Sequence, residues 1–565
     1  MIKLIRCVLF RMKYLIFISA LFLPNFTYSL TSWTDVKQVT NTLGVVGSLN
    51  CQINPNNGNI YFAYADNSGT SKNGIFIKRS ITNGKTWDNP FFVSPSNIDS
   101  INPAVCSKNN YVYLSWQDDR YSISHIFFRR SLDNGSSWEN DVQISDGTTS
   151  SSKPSLGLDS LGAIHIVWIN DGSVKYRKGF NNGVNWSSVQ TLSNGSSDSP
   201  KILIVNDEPY VFWEEGSPSY IKYCKSSDGG LSWSSPSNIS SSNASFVSVA
   251  CDSKNNIYAV WQEGNKIYFR KYENNNWLLG KAVNTNGVAK FPSIAVDSND
   301  NIHICWIDDR DGLNKIYYTS SSDKGFSFIS EIPLNTVTNP NYITLISYSL
   351  NLHLFWKDGA QIYYRMKDTI SPSLTLNSTT HKYNITSSNN SPEFIWQAYD
   401  NTGGIGIKGF SYVFDKNEKT EPIPIINYYG NSVSFPFTEN GTYFFHIRAT
   451  DELNNWSETY HYQIAIDNNN LLPKKEVWCQ PNPVKSNKPN IRYFLAKDSY
   501  VTITLYNEAG EKITSIDKEG VVGINNETTI DMSNYANGVY FYKIKAKEKQ
   551  GGEVEEVVKK MILIR

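Results

Sequence analysis

Apolar residues along this chain fall in short runs broken by Asn, Asp, Gly or Ser, and no window carries the spacing of an amphipathic helix. One run recurs seven times, 45 to 52 residues apart, and always ends in Trp or Tyr. Its copies are Ile60-Tyr-Phe-Ala-Tyr64, Val112-Tyr-Leu-Ser-Trp116, Ile164-His-Ile-Val-Trp168, Pro209-Tyr-Val-Phe-Trp213, Ile257-Tyr-Ala-Val-Trp261, Ile302-His-Ile-Cys-Trp306 with its aromatic in register, and Leu352-His-Leu-Phe-Trp356. A second run follows each copy, from Ile75-Phe-Ile-Lys78 to Ile362-Tyr-Tyr-Arg365, and a third precedes it, as in Asn102-Pro-Ala-Val105 and Phe291-Pro-Ser-Ile294. A weaker fourth run, such as Val142-Gln-Ile144, closes the unit.

Four antiparallel strands in such a period, without helices, predict the blade of a β-propeller, whose two apolar faces are covered by its neighbours. The predicted fold class is all-β: a seven-bladed propeller over residues 30–367, followed by two Ig-like β-sandwich domains. The seventh unit ends at Met366 without a fourth strand, while Trp33-Thr-Asp-Val-Lys-Gln-Val39 matches the fourth run Trp186-Ser-Ser-Val-Gln-Thr-Leu192. The N-terminal strand is therefore expected to complete the last blade and leave no open edge.

Between third and fourth runs the chain repeats a turn. Ser131-Leu-Asp133-Asn-Gly135-Ser-Ser-Trp138 and Ser226-Ser-Asp228-Gly-Gly230-Leu-Ser-Trp233 fit Ser-x-Asp-x-Gly-x-x-Trp. Asp323, Gly325 and Phe328 form a partial copy, as do Gly84 with Trp87 and Gly183 with Trp186. These turns resemble the Asp box, the bacterial neuraminidase repeat of sialidase-like propellers. The Asp can bond its own turn and the Gly supplies a positive φ, so the box reads as a structural fastener. The resemblance implies that it lies on the face opposite the ligand site.

Composition narrows the function classes. With 52 basic and 52 acidic side chains the chain has no net charge, and no basic stripe suits a nucleic acid. Lys3, Arg6, Arg11 and Lys13 followed by apolar Tyr14 to Leu23 and by Thr27-Tyr28-Ser29 read as a secretory signal peptide over residues 1–29, cleaved after Ser29. No later stretch could span a bilayer as a helix. Cys51, Cys106, Cys224, Cys251, Cys305 and Cys479 show no metal-ligand spacing and sit mostly where sibling units carry Val or Ala, so they read as small buried hydrophobes. No cofactor and no metal are expected, and the protein is expected to be a monomer.

Asp368-Thr-Ile-Ser-Pro372 ends the repeat. Over residues 368–467 the runs alternate at period two, as in Pro392-Glu-Phe-Ile-Trp396 and Tyr460-His-Tyr-Gln-Ile-Ala-Ile466. With Gly441-Thr-Tyr443 and Ala449-Thr-Asp451 before Asn455-Trp456-Ser457, this segment resembles the fibronectin type III-like or Ig-like modules of bacterial surface proteins. Residues 474–565 open with Gln480-Pro-Asn-Pro483 and continue through Ile491-Arg-Tyr-Phe-Leu495, Tyr506-Asn-Glu-Ala-Gly510 and Gly538-Val-Tyr-Phe-Tyr542 to Lys559-Lys-Met-Ile-Leu563. That order resembles the C-terminal sorting domain of type IX secretion substrates. It implies contact with the outer-membrane secretion machinery and a secreted or surface-attached product.

Candidate chemistry lies two residues past each Trp or Tyr, at Asp66, Asp118, Asn170, Glu215, Glu263, Asp308 and Asp358. These side chains could form a polar collar for sugar hydroxyls or simple solvated turns. Two units extend the pattern into Asp118-Asp119-Arg120 and Asp308-Asp309-Arg310, where the Arg fork could take an acidic ligand or its own Asp. Sialidases, which the boxes resemble, have six blades, three Arg on the sialic-acid carboxylate, a Tyr–Glu nucleophile pair and an Asp acid/base. No Arg-Ile-Pro-type motif stands near the start here and the Arg triad is not assembled, so no catalytic residue is assigned. The expected function is binding of an extracellular glycan or other polymer. The alternatives are an exo-acting sialidase-like glycoside hydrolase and an architectural surface protein.

Overall fold

The computed structural model describes residues 32–564, apart from 43, 45, 68–70, 96, 148, 242, 335–338, 388, 437, 468–470, 551 and 553. The expected signal peptide over residues 1–29 and its cleavage site lie outside the described residues. Every regular element described is a β-strand except one 3-10 turn at Lys474–Glu476. No helix is long and apolar enough to cross a membrane.

Seven antiparallel sheets follow one another between residues 37 and 367. In each of the first six the strands run in chain order, as in the sixth: Ala289–Val296, Ile302–Asp308, Lys315–Ser321 and Ile332–Leu334. The seventh takes Pro340–Tyr348, Asn351–Asp358 and Gln361–Lys367 from one end of the ring and Lys37–Gln38 from the other. Lys37 pairs with Tyr364 and Gln38 with Tyr363, and Thr34 N–H and Val39 N–H donate to the carbonyls of Met366 and Ile362 at 2.8 and 2.9 Å. The first strands of successive sheets pack on each other, and Val46–Ile53 of the first sheet also meets Pro340–Tyr348 of the last. The ring is closed.

The recurrent aromatic run is the second strand of every sheet. Ile60–Asp66, Ile164–Asn170 and Ile302–Asp308 are buried at all seven positions, which is why these runs read as continuously apolar rather than alternating. Trp116, Trp168, Trp213, Trp261, Trp306 and Trp356 are fully buried between neighbouring sheets. Burying one such ring stabilises by about 4–6 kcal/mol at the upper bound.

At one end of the ring, the turn between third and fourth strands is fastened as its sequence suggested. Ser131 Oγ donates to Asp133 at 2.7 Å and accepts Gly135 N–H at 2.8 Å, while Ser137 N–H donates to Asp133 at 2.8 Å. Ser226, Asp228, Gly230 and Ser232 repeat these bonds, and so do Ser321, Asp323, Gly325 and Ser327. Bonds from Ser137 first, then Ser131, pull Asp133 down to about 2. Trp138 and Trp233 pack on the cores of the adjoining sheets. Gly230 has φ +94°, and a Cβ there would lie 1.9 Å from the Tyr176 hydroxyl.

Residues 373–466 form a three-stranded sheet (Ser373–Ser378, Glu393–Tyr399, Ser432–Ser434) and a four-stranded one (Thr386–Ser387, Tyr460–Ile466, Gly441–Asp451, Ile407–Asp415). Phe394 and Phe445 stack between them at 4.4 Å. Residues 477–563 repeat this three-plus-four arrangement around a core that includes Val501, Ile503, Tyr542 and Met561. The six cysteines among the described residues carry free thiols, five of them buried.

Candidate functional site

The end of the ring opposite those fastened turns carries the loops between second and third strands. A strand places residues i and i+2 on one face, so four of the five carboxylates two residues past a Trp meet the indole beside them. Trp116 Nε1–H donates to Asp118 at 3.1 Å, Trp213 to Glu215 at 2.8 Å, Trp261 to Glu263 at 2.9 Å and Trp306 to Asp308 at 3.1 Å. Asp66, Asp118 and Asp308 are buried. Asp358 is half-buried, which raises its pKa. Asp66, Asp118 and Asp308 are thus shut away from solvent, while Glu215, Glu263 and Asp358 keep partial exposure.

The two Asp-Asp-Arg loops are closed in the same way. Arg120 Nη2 binds Asp118 at 2.5 Å, its Nη1 binds Asp141 at 2.6 Å, and the guanidinium lies 3.5 Å from the centre of the Phe127 ring. Arg310 Nη2 binds Asp308 at 2.6 Å, its Nη1 binds Glu331, and it covers Tyr317 at 4.2 Å. Their side chains are 15% and 16% exposed. Burial would raise the Asp308 pKa, but bonds from Arg310 and Trp306 outweigh it and lower it. Asp119 accepts Asp99 N–H and Asp309 accepts Val288 N–H, both at 3.0 Å. An acidic ligand would have to displace two carboxylates from each Arg, and an unpaired buried charge is costly.

Third-strand arginines are committed too. Arg129, Arg177 and Arg270 donate to the carbonyls of Val93, Ile144 and Ile239, each just past the fourth strand of the preceding sheet. Arg365 donates to Thr34 O. Among the described residues Arg129, Arg177 and Arg270 staple neighbouring sheets, Arg365 holds the closing strand of its own sheet, and the four bind separate partners.

What faces the mouth of the ring is a set of residues the sequence reading passed over. Every innermost strand carries a bulge near its start, between Val46 and Leu49, Ile101 and Ala104, Ser152 and Ser155, Asp198 and Lys201, Ser245 and Ser248, Lys290 and Ser293, and Asn341 and Ile343. In six of them a non-glycine residue has φ between +49° and +56°: Asn102, Lys153, Ser199, Phe246, Phe291 and Tyr342. Such backbone is sparsely populated for side-chain-bearing residues, and bulges commonly re-aim a side chain beside a binding site. On sheets five to seven the bulge residues are aromatic. The Phe246 and Phe291 rings meet at 4.5 Å and those of Phe291 and Tyr342 at 5.3 Å. Phe246 and Tyr342 remain 41% and 50% exposed. The signal was in the sequence, as the variable residue before Pro103, Pro154, Pro200 and Pro292.

A carboxylate cluster suited to a cation stands elsewhere. Asp368, Asp400 and Asp451 bring ligand oxygens within 4.8 Å of one another where the ring meets the next domain. Burial, then the neighbouring Asp368 and Asp400, raise Asp451 to about 6. Asn401 donates to Asp368 at 3.0 Å and Asn455 to Asp451 at 2.7 Å. A cavity of about 380 Å³ lies on that domain, lined by Tyr383, Glu418, Glu421 and His461.

Residues 479–563 match the model of the secretion system C-terminal sorting domain. No curated protein matches the chain. Among solved structures it is similar to a polysaccharide lyase of family PL25, an ulvan lyase, at 12% identity over 58% of this chain and 95% of that one, with a TM-score of 0.46. It is also similar to the NanB sialidase of Streptococcus pneumoniae (11% identity, 60% and 70% covered, TM-score 0.37) and to the Trypanosoma rangeli sialidase (10%, 91% and 83%, 0.36). The chain is thus an all-β protein with sialidase-like propeller neighbours and a type IX sorting tail, exported to the cell surface or beyond.

Proposed function

We propose that this protein binds an extracellular glycan through the bulge end of a seven-bladed propeller, each of the seven sheets being one blade. Residues 368–467 act as an Ig-like or fibronectin type III-like spacer, and residues 474–565 engage the secretion machinery. The observation that carries this reading is the row of three aromatic rings, Phe246, Phe291 and Tyr342, side by side at the mouth. Exposed rings beside polar groups suit the apolar faces of sugars, whereas an architectural surface protein gives no reason to place them there.

One observation favours a hydrolase instead. Asp198 and Glu214 are cross-strand partners, and burial followed by the Asp198 charge raises Glu214, opposed by the bond from Phe246 N–H. A carboxyl group with a raised pKa paired across strands with a second carboxylate is the raw material of glycosidic acid catalysis. Screening the full chain on a glycan array and against fluorogenic sialosides and uronides decides between the readings. Retention of a glycan without turnover supports binding. Turnover abolished by Glu214→Gln supports the hydrolase, and silence in both assays removes the glycan reading.

A further inference from the structure

The third residue of each innermost-strand bulge repeats around the ring as Asn50, Ala104, Ser155, Lys201, Ser248, Ser293 and Thr344. Four of these accept a backbone N–H from the next innermost strand: Asn50 from Val105 at 3.0 Å, Ser155 from Ile202 at 3.2 Å, Ser248 from Ile294 at 3.3 Å and Ser293 from Leu345 at 2.9 Å. Lys201 breaks the pattern, because an ammonium cannot accept that bond. Its side chain is open to water yet enclosed by protein, and this enclosure lowers its pKa, with Lys153 adding to the effect and Glu214 opposing it. It sits on the innermost strand of the fourth sheet, in register with Ser155 and Ser248.

The charges around it are already engaged. Lys153 binds both oxygens of Asp198 at 2.6 Å. Glu214 accepts Phe246 N–H at 2.8 Å. Lys201 itself makes no hydrogen bond or ion pair among the described residues. An exposed cation without a bonded counter-ion is a ready partner for an anionic ligand. Glu214 ties this position to the aromatic row, since the residue whose N–H it holds is Phe246, the first of the three rings.

We infer that the mouth selects an anionic pyranose, a uronate or a sulfated sugar, stacked on Phe246, Phe291 and Tyr342 with its charged group on Lys201. This rests on the glycan-binding reading and adds the ligand's charge to it. Displacing water from a pair of ring faces holds the sugar whatever its charge, whereas Lys201 contributes only when an anion is present. The two contributions therefore separate by mutation.

The test is calorimetric titration of the full chain with oligogalacturonates, chondroitin sulfate oligosaccharides and neutral cello-oligosaccharides. Lys201→Ser, the residue three sibling sheets carry, leaves the ring's own pattern intact, and Lys201→Gln is the second variant should the first not fold. At least one acidic series is expected to bind more tightly than the neutral one, to weaken tenfold or more in Lys201→Ser, and to weaken with added salt. The uronate and sulfate arms identify which anion is preferred. Phe246→Ala with Tyr342→Ala is expected to weaken every oligosaccharide that binds. Neutral sugars binding as tightly as acidic ones, or acidic binding unchanged in Lys201→Ser, would overturn the inference and leave glycan binding standing. No binding of any series, together with a silent array, would remove the glycan reading itself.

Discussion

The two ends of the ring obey different rules. At the turn end, three sheets place the same Ser, Asp and Gly in the same bonds, and three buried His–Tyr pairs repeat at 2.8 Å: His165 with Tyr176, His303 with Tyr318 and His353 with Tyr364. At the apex of the bulges the backbone repeats but the side chains do not: Asn102, Lys153, Ser199, Phe246, Phe291 and Tyr342 occupy one position. A residue repeated in every unit answers a need that every unit has, which is to fold. A residue that departs from its siblings while the backbone stays the same answers a need of one place on the molecule.

That contrast can be broken by measurement. Removing a repeated core ring should have the largest effect: Trp306→Ala is expected to cost about 3–5 kcal/mol, and it also strips Asp308 of its indole donor. Denaturant melts of the full chain check it, and a loss below 1 kcal/mol would end the argument from repetition. Acid should come next. Burial, then Lys178, lowers His165 to about 4, with Asp159 opposing, and burial lowers His353 to about 3. A folded-state pKa below the unfolded value of about 6.5 means that stability present above that pH is lost as pH falls toward 4, by about 3 kcal/mol for His165. Melting temperature against pH should show this limb, flattened in His165→Gln.

A turn-end glycine should weigh somewhat less. Gly230→Ala is expected to cost about 2 kcal/mol, because its φ is +94° and the Tyr176 hydroxyl occupies the space a Cβ needs. Opposite in sign is the junction cluster. Asp451, raised to about 6 by burial and its two Asp neighbours, holds its proton more tightly folded than unfolded, so its contribution improves as pH falls from about 6 toward 4. Calorimetry on Asp451→Asn should find the variant's stability relative to the parent more favourable at pH 7 than at pH 4. The smallest effect belongs to the bulge end: Tyr342→Ala should shift stability by about 0.5 kcal/mol or less while altering what the mouth binds.

Much of the fold was legible because it is local and repeated. The runs ending in Tyr64 and in Trp116 to Trp356 form the second strand of each sheet, and the likeness of Trp33–Val39 to Trp186–Leu192 pointed to the strand that seals the last one. The site was harder to read. The Trp-x-acid pattern carried its own answer, since side chains two apart share a face, yet the acids were read as facing water. The bulges run against the usual rule that a residue before proline is extended, so nothing local announced Asn102, Lys153, Ser199 or Phe291 at positive φ. Asp368, Asp400 and Asp451 meet from three separate segments, and no spacing along the chain brings them together.

The seal between Thr34–Val39 and Ile362–Met366 joins segments whose bonded residues Thr34 and Arg365 stand 331 positions apart. A chain synthesised from its N-terminus therefore holds its first strand long before the partner strand exists. Until then Val36 and Trp33 have no sheet to lie on and the seventh sheet keeps a bare margin. Completion of the ring is thus a late event in folding, and one that deletion of residues 33–39 should block while leaving the tail domains folded.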